Sequence, residues 1–226
     1  MTRTALLSRS FRLFAAMLGA AMVVAPAQAQ LAPGRSGFSD APTVAHESEY
    51  WEMMDNLGDC LARIKPDESA AFVGSVIDSP AETAAFEALF NRTRNVCMGN
   101  FVRAGMLRAH VRGVVAEGLF KKLPSDQFEA FTASPPAPPA VVVSLHDFAR
   151  CYVLAHPQSA RRLVEDTRLA TKGETELIRT IAADFGPCLP EGNEVTIRPT
   201  SVRMAIAEAL YRAVSGLPAP TIQEAS

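Results

Sequence analysis

Two cysteine pairs repeat one spacing. Cys60 and Cys97 stand 37 residues apart, as do Cys151 and Cys188, and an offset of 91 carries the first pair onto the second. The same offset lays Pro66 on Pro157 and Val111-Arg112 on Val202-Arg203. It also lays Ala116-Glu117-Gly118-Leu119-Phe120 on Ala207-Glu208-Ala209-Leu210-Tyr211. Self-similarity at a fixed period predicts a tandem duplication, so the chain is expected to fold as two similar units.

Periodicity sets the fold class of each unit. Tyr50, Met54, Leu57, Leu61 and Ile64 recur at helical spacing behind a candidate cap at Ser48. Pro66 stops that helix and opens the next, with Asp67 and Glu68 in its first turn. A third helix is expected over 81–96 and a long fourth over 101–120. In the second unit, Ser144 or Asp147 caps a helix carrying Leu145, Phe148 and Tyr152, and His156-Pro157 opens the next. Residues 174–185 read as the third helix, and a last helix follows a cap at Thr200 or Ser201. The prediction is all-α: two pseudo-repeated units of about four helices, 48–122 and 144–214, with one disulfide in each. The two final helices are expected to form much of a shared core.

The flanking segments differ in composition. Residues 1–29 read as a signal peptide, with Arg3, Arg9 and Arg12 before an apolar run from Leu13 to Ala25 and Ala27-Gln28-Ala29 as the cleavage site. That run of about 13 residues falls short of the roughly 20 a membrane span needs. Residues 30–47 read as a disordered lead-in. Residues 123–143 read as a proline-rich linker in which 127–131 form at most one helical turn, and Val141-Val142-Val143 as an extended run. The chain from Gly216 reads as a loose tail, within a tail segment of 215–226. Asn91-Arg92-Thr93 matches a glycosylation acceptor and is read as chance.

Export decides how the cysteines are used. Four cysteines in a periplasmic or secreted chain predict two disulfides. Of the three pairings, Cys60–Cys97 and Cys151–Cys188 are expected, because a single ancestral unit had only its own two cysteines to join. No Cys-x-x-Cys or His-x-x-x-His is present, so neither a structural metal nor any other cofactor is expected. The whole chain carries a formal charge of −2, and the leader takes three arginines and no acid from it. The acidic remainder argues against nucleic acid as a partner. No transmembrane anchor is expected after signal cleavage.

The sequence Gly186-Pro187-Cys188-Leu189-Pro190-Glu191-Gly192, followed by residues 197–212 and preceded by Cys151 and Pro157, resembles a group of uncharacterised exported alpha-proteobacterial proteins. The resemblance spans most of the chain beyond the leader. The first unit departs from it: Met98-Gly99-Asn100 replaces the Leu-Pro-Glu-Gly turn, and Gly118 replaces alanine. It supports the unit boundaries and implies no chemistry.

Few residues point to a site. Ser144-Leu145-His146-Asp147 holds the residue types of a nucleophilic triad only by adjacency, and reads as a helix cap beside an exposed histidine. Arg112 with Glu117, matched by Arg203 with Glu208, is the more informative set. On a helix Arg112 and Glu117 lie about 140° apart at 100° per residue. They cannot pair with each other well, but the Arg of one final helix can meet the Glu of the other. Three readings follow: ion pairs that fix how the helices dock, a proton-handling carboxylate pair, or solvated charges. The chain is thus expected to be an exported structural or binding protein of the bacterial envelope, with an envelope protein or a small molecule as partner. The alternative is a periplasmic hydrolase of unidentified class.

Overall fold

The first helix, α1 (Glu47–Ile64), follows from its own pattern: Trp51, Met54, Leu57 and Leu61 bury one face, with acids in the first turn and Arg63 in the last. Pro66 opens α2 (Pro66–Gly74), where its missing N–H costs no hydrogen bond. Ser79 caps α3 (Pro80–Phe90), its Oγ accepting the Glu82 N–H at 3.0 Å while Glu82 Oε2 accepts the Asp78 N–H at 2.9 Å. A short α4 (Arg94–Cys97) precedes α5 (Arg108–Phe120). The computed structural model describes residues 47–90, 94–97, 106–190, 196 and 198–222.

The second half runs through α6 (Ser125–Ala133), α7 (Leu145–Ala155), α8 (Pro157–Glu165), α9 (Lys172–Ile181), two short 3₁₀ turns over 182–188, and α10 (Pro199–Val214). Ser144 and Asp147 form a reciprocal capping box at the start of α7. Thr171 caps α9 through the Glu174 N–H, and Glu174 Oε2 accepts the Ala170 N–H at 2.8 Å, the same device that starts α3. The fold is all-α. Among the described residues the only β pairing is one isolated parallel bridge, Ile77 with Ile222.

Helices α5 and α10 pack against each other at the centre. α1 covers α5, α7 covers α10, α2 lies on α5 and α8 on α10. Every residue from His110 to Phe120 and from Val202 to Arg212 is buried, so both central helices are enclosed on all sides. All described residues fall in one compact unit, and the two halves share this core. No helix among the described residues is long and apolar enough to cross a membrane.

The disulfides are Cys60–Cys97, with Cα atoms 5.4 Å apart, and Cys151–Cys188, at 5.6 Å. The first ties α1 to α4 and the second ties α7 to the last 3₁₀ turn.

Several sequence expectations need correction. Residues 125–133 are not linker with one turn: α6 is a nine-residue helix whose Phe128 and Phe131 are buried, Phe128 against Phe120. The tail is not loose up to Ile222. The Ile77 N–H donates to Thr221 O at 2.8 Å, and Arg212 donates to Pro218 O at 2.7 Å. Helix α5 begins at Arg108, because Leu107 is extended. α10 begins at Pro199 with no side-chain cap, and neither Thr200 nor Ser201 serves as one. α9 ends at Ile181, short of Phe185, where the chain tightens into 3₁₀ geometry. The leader, residues 30–46 of the lead-in, the 91–93 pattern, the 98–100 turn, residues 101–105, 191–195, 197 and 223–226 lie outside the described residues.

Candidate functional site

The paired charges meet inside the core. Arg112 on α5 donates to Glu208 on α10, Nη2 to Oε1 at 2.8 Å and Nε to Oε2 at 3.4 Å. Arg203 on α10 donates to Glu117 on α5, Nε to Oε2 and Nη2 to Oε1, both at 2.8 Å. All four are shut from solvent: Arg203 is 0 % exposed, Arg112 2 %, Glu208 3 % and Glu117 5 %. Neither Arg pairs with the Glu on its own helix.

Each guanidinium also closes the end of a neighbouring helix. Arg112 donates to Phe72 O at 2.9 Å and Val73 O at 2.7 Å in the last turn of α2. Arg203 donates to Leu163 O at 2.7 Å and Val164 O at 3.3 Å in the last turn of α8. Those carbonyls have no partner within their helices and carry the negative end of the macrodipole. A buried arginine therefore serves three elements at once, and the acceptors Phe72 and Leu163, like Val73 and Val164, are themselves 91 positions apart.

A second cation reaches each central carboxylate from one turn on. Lys121 Nζ lies 2.8 Å from Glu117, and Arg212 Nε 3.0 Å from Glu208. His146 Nδ1 stands 4.0 Å from Glu208. Burial pushes the Glu208 carboxyl up, but Arg112, His146 and Arg212 outweigh it and hold the group down at about 2. Such a carboxylate stays ionised and is a poor proton carrier near neutrality.

The third carboxylate of each cluster breaks the match. Glu82 Oε1 lies 3.0 Å from Arg112 Nη1. Its counterpart Glu174 lies 3.8 Å from Arg203 Nε, and its buried Oε1 has no hydrogen-bond partner. Burial pushes Glu174 up to about 7 against the pull of Arg203 and the Ala170 N–H. Glu174 is 1 % exposed, so no substrate reaches it.

Glu82, Glu174, Lys121 and Arg212 were not singled out in the sequence. Lys121 and Arg212 obey the offset of 91, which marks them in retrospect; Glu82 and Glu174 are 92 apart and slip that register. Among the remaining histidines, His110 is buried and 2.7 Å from Tyr50 Oη, and burial lowers it to about 4. Ser144 and Asp147 are engaged with each other in the cap, and His146 faces Glu208. Among the described residues no group of three or more His, Cys, Asp and Glu is placed to hold a metal ion.

One groove opens to solvent beside this core. It lies between α7, α10 and residues 216–220, holds about 190 Å³, and is walled by Val153, Leu154, Ala213, Leu217, Pro218 and Pro220. Arg150 and Arg212 also line it. Comparison of the chain with family models, curated proteins and solved structures finds no match to any of them.

Proposed function

We propose that this chain is an exported helical binding protein of the bacterial envelope, with the buried Arg–Glu lattice as its rigid frame. The observation that carries this reading is how the polar side chains are used. The charged groups of Arg112, Glu117, Arg203 and Glu208 are spent on one another and on helix ends, and none of the four lines the open groove, which is mainly apolar. A hydrolase needs a nucleophile, a base and an orienting group around one reacting atom. A binding site needs a concave apolar wall and few polar contacts.

Export is supported by the leader-like residues 1–29 and by two disulfides, which persist in oxidising compartments. The matched contacts of Arg112 and Arg203 support descent of the two halves from one ancestral unit. The resemblance to exported alpha-proteobacterial proteins agrees with an envelope location.

The test is expression of the full chain in a Gram-negative host, followed by fractionation, N-terminal sequencing and thiol titration. The expected product begins at Gln30, is found in the periplasmic or extracellular fraction and has no free thiol. A reduced chain with an intact leader in the cytosol would overturn the reading. Turnover of ester, amide, phosphoester or glycoside substrates by the purified protein would favour the hydrolase.

A further inference from the structure

We propose that the groove between α7, α10 and residues 216–220 binds a small monocarboxylate with an apolar body of about six to eight carbons, its carboxylate held by Arg150. This names a ligand class for the binding protein proposed above and rests on that reading.

Charge selects the carboxylate. Two guanidiniums line the groove, and they differ in what they already hold. Arg212 is engaged by Glu208, Pro218 O and Val73 O. Arg150 is half-buried, and among the described residues it has no hydrogen-bond or ion-pair partner. With Arg112 and Arg212 balanced by Glu82 and Glu208, the wall keeps one uncompensated positive charge beside apolar surface. A guanidinium matches a carboxylate with two parallel N–H···O bonds, a geometry that an amide or an ammonium ligand cannot reproduce. The position 91 residues before Arg150 is Asp59, which faces Lys121 at 3.5 Å. The two halves thus carry opposite charges at this point, and the unpaired cation belongs to the second half.

Size selects the body. The groove's 190 Å³ slightly exceeds the roughly 150 Å³ cavity that accepts a benzene ring and falls below the roughly 300 Å³ where drug-sized sites begin. A short alkyl chain or a single ring fills it. The walls stand ready for such a ligand. Pro218 and Pro220 fix their own φ angles, and the strand of chain that carries them is tied down by Arg212 to Pro218 O and by the Ile77 N–H to Thr221 O. Little ordering is left to oppose binding.

The probes are octanoate and phenylacetate, with octanamide and octylamine as controls, titrated into the oxidised chain from Gln30 onward. Binding is read by calorimetry and by ¹H–¹⁵N NMR. The carboxylates are expected to bind at least about tenfold tighter than octanamide, a difference of about 1.4 kcal/mol. They should shift the amides of Val153, Ala213 and Leu217. Arg150→Gln should erase the preference without moving the melting temperature, and Ala213→Phe should block all four probes. Equal binding of octanoate and octanamide by the unaltered protein overturns the proposal, as does saturable binding that shifts amides elsewhere. If no probe binds while the chain is recovered oxidised from the envelope, the ligand assignment falls and the envelope reading stands.

Discussion

Gly113 and Met204 meet where α5 crosses α10: a Cβ on Gly113 would stand 2.3 Å from the Met204 Cβ and 2.8 Å from its Cα. The two residues are 91 positions apart, so the central helices cross at matching points along their lengths. The crossing sets the helix separation that lets Arg112 reach Glu208 and Arg203 reach Glu117. Gly58 and Gly118 do the same for α1 on α5, a Cβ on Gly58 falling 2.2 Å from Val114 O.

Gly113→Ala and Gly58→Ala should each destabilise the fold by about 1–3 kcal/mol or more, because the obstacle is backbone or the root of a side chain. Gly74→Ala meets nothing within 4 Å and should be neutral or stabilising by up to about 1 kcal/mol. Urea denaturation of the three variants checks the contrast, and a similar loss at all three would show that the close approach is not what glycine provides.

Glu174 should make stability depend on pH. Its folded value of about 7 lies above its ordinary 4.5, so the fold binds this proton more tightly than the unfolded chain does. The stabilisation is complete below about pH 4.5, is lost as pH rises toward 7, and amounts to about 3 kcal/mol. His110 works in the opposite sense. Its folded value of about 4 lies below 6.5, so its contribution is complete above pH 6.5 and is lost as pH falls toward 4. The two oppose each other between about pH 4.5 and 6.5 and flatten the profile of the unaltered protein. Glu174→Gln removes one of them. Its melting temperature relative to the unaltered protein should climb by on the order of 5–10 °C between pH 5 and pH 8. A gap that stays constant over that range would rule out proton uptake at Glu174.

Reduction should cost the fold two constraints. Each disulfide closes a loop with a sequence separation of 37. Chain entropy assigns each such loop about 4 kcal/mol. Nonreducing peptide mapping should recover Cys60 with Cys97 and Cys151 with Cys188, and reduction should lower the urea midpoint. A peptide joining Cys60 to Cys151 or Cys188 would contradict the fold.

The cysteine spacing, Pro66, Pro157 and the Ser144 cap were legible because each acts through local chemistry. What was not legible depends on neighbours distant in sequence. The exchange of Arg112 with Glu208 and of Arg203 with Glu117 was legible too, from the offset of 91, but nothing in residues 108–120 reveals the carbonyls of α2 that Arg112 also reaches. Helix α6 is not legible because two phenylalanines beside a proline run carry too little periodicity to outweigh it. The seating of residues 217–222 depends on Ile77 and Arg212, which no local pattern links to the tail. Glu174 is readable as a cap residue, but its raised value exists only once the fold buries it beside an Arg203 that stands 3.8 Å away.

The central claim is that buried ion pairs exchanged between α5 and α10 bind the two halves into one core. A double-mutant cycle on Arg112 and Glu208, read by urea denaturation of the oxidised chain, tests it most directly. Arg112→Ala and Glu208→Ala should each cost about 3–5 kcal/mol, because either leaves its partner charged and buried. The double variant should cost less than the sum by about 2 kcal/mol or more. Additive losses, with a coupling below about 0.5 kcal/mol, would contradict the account.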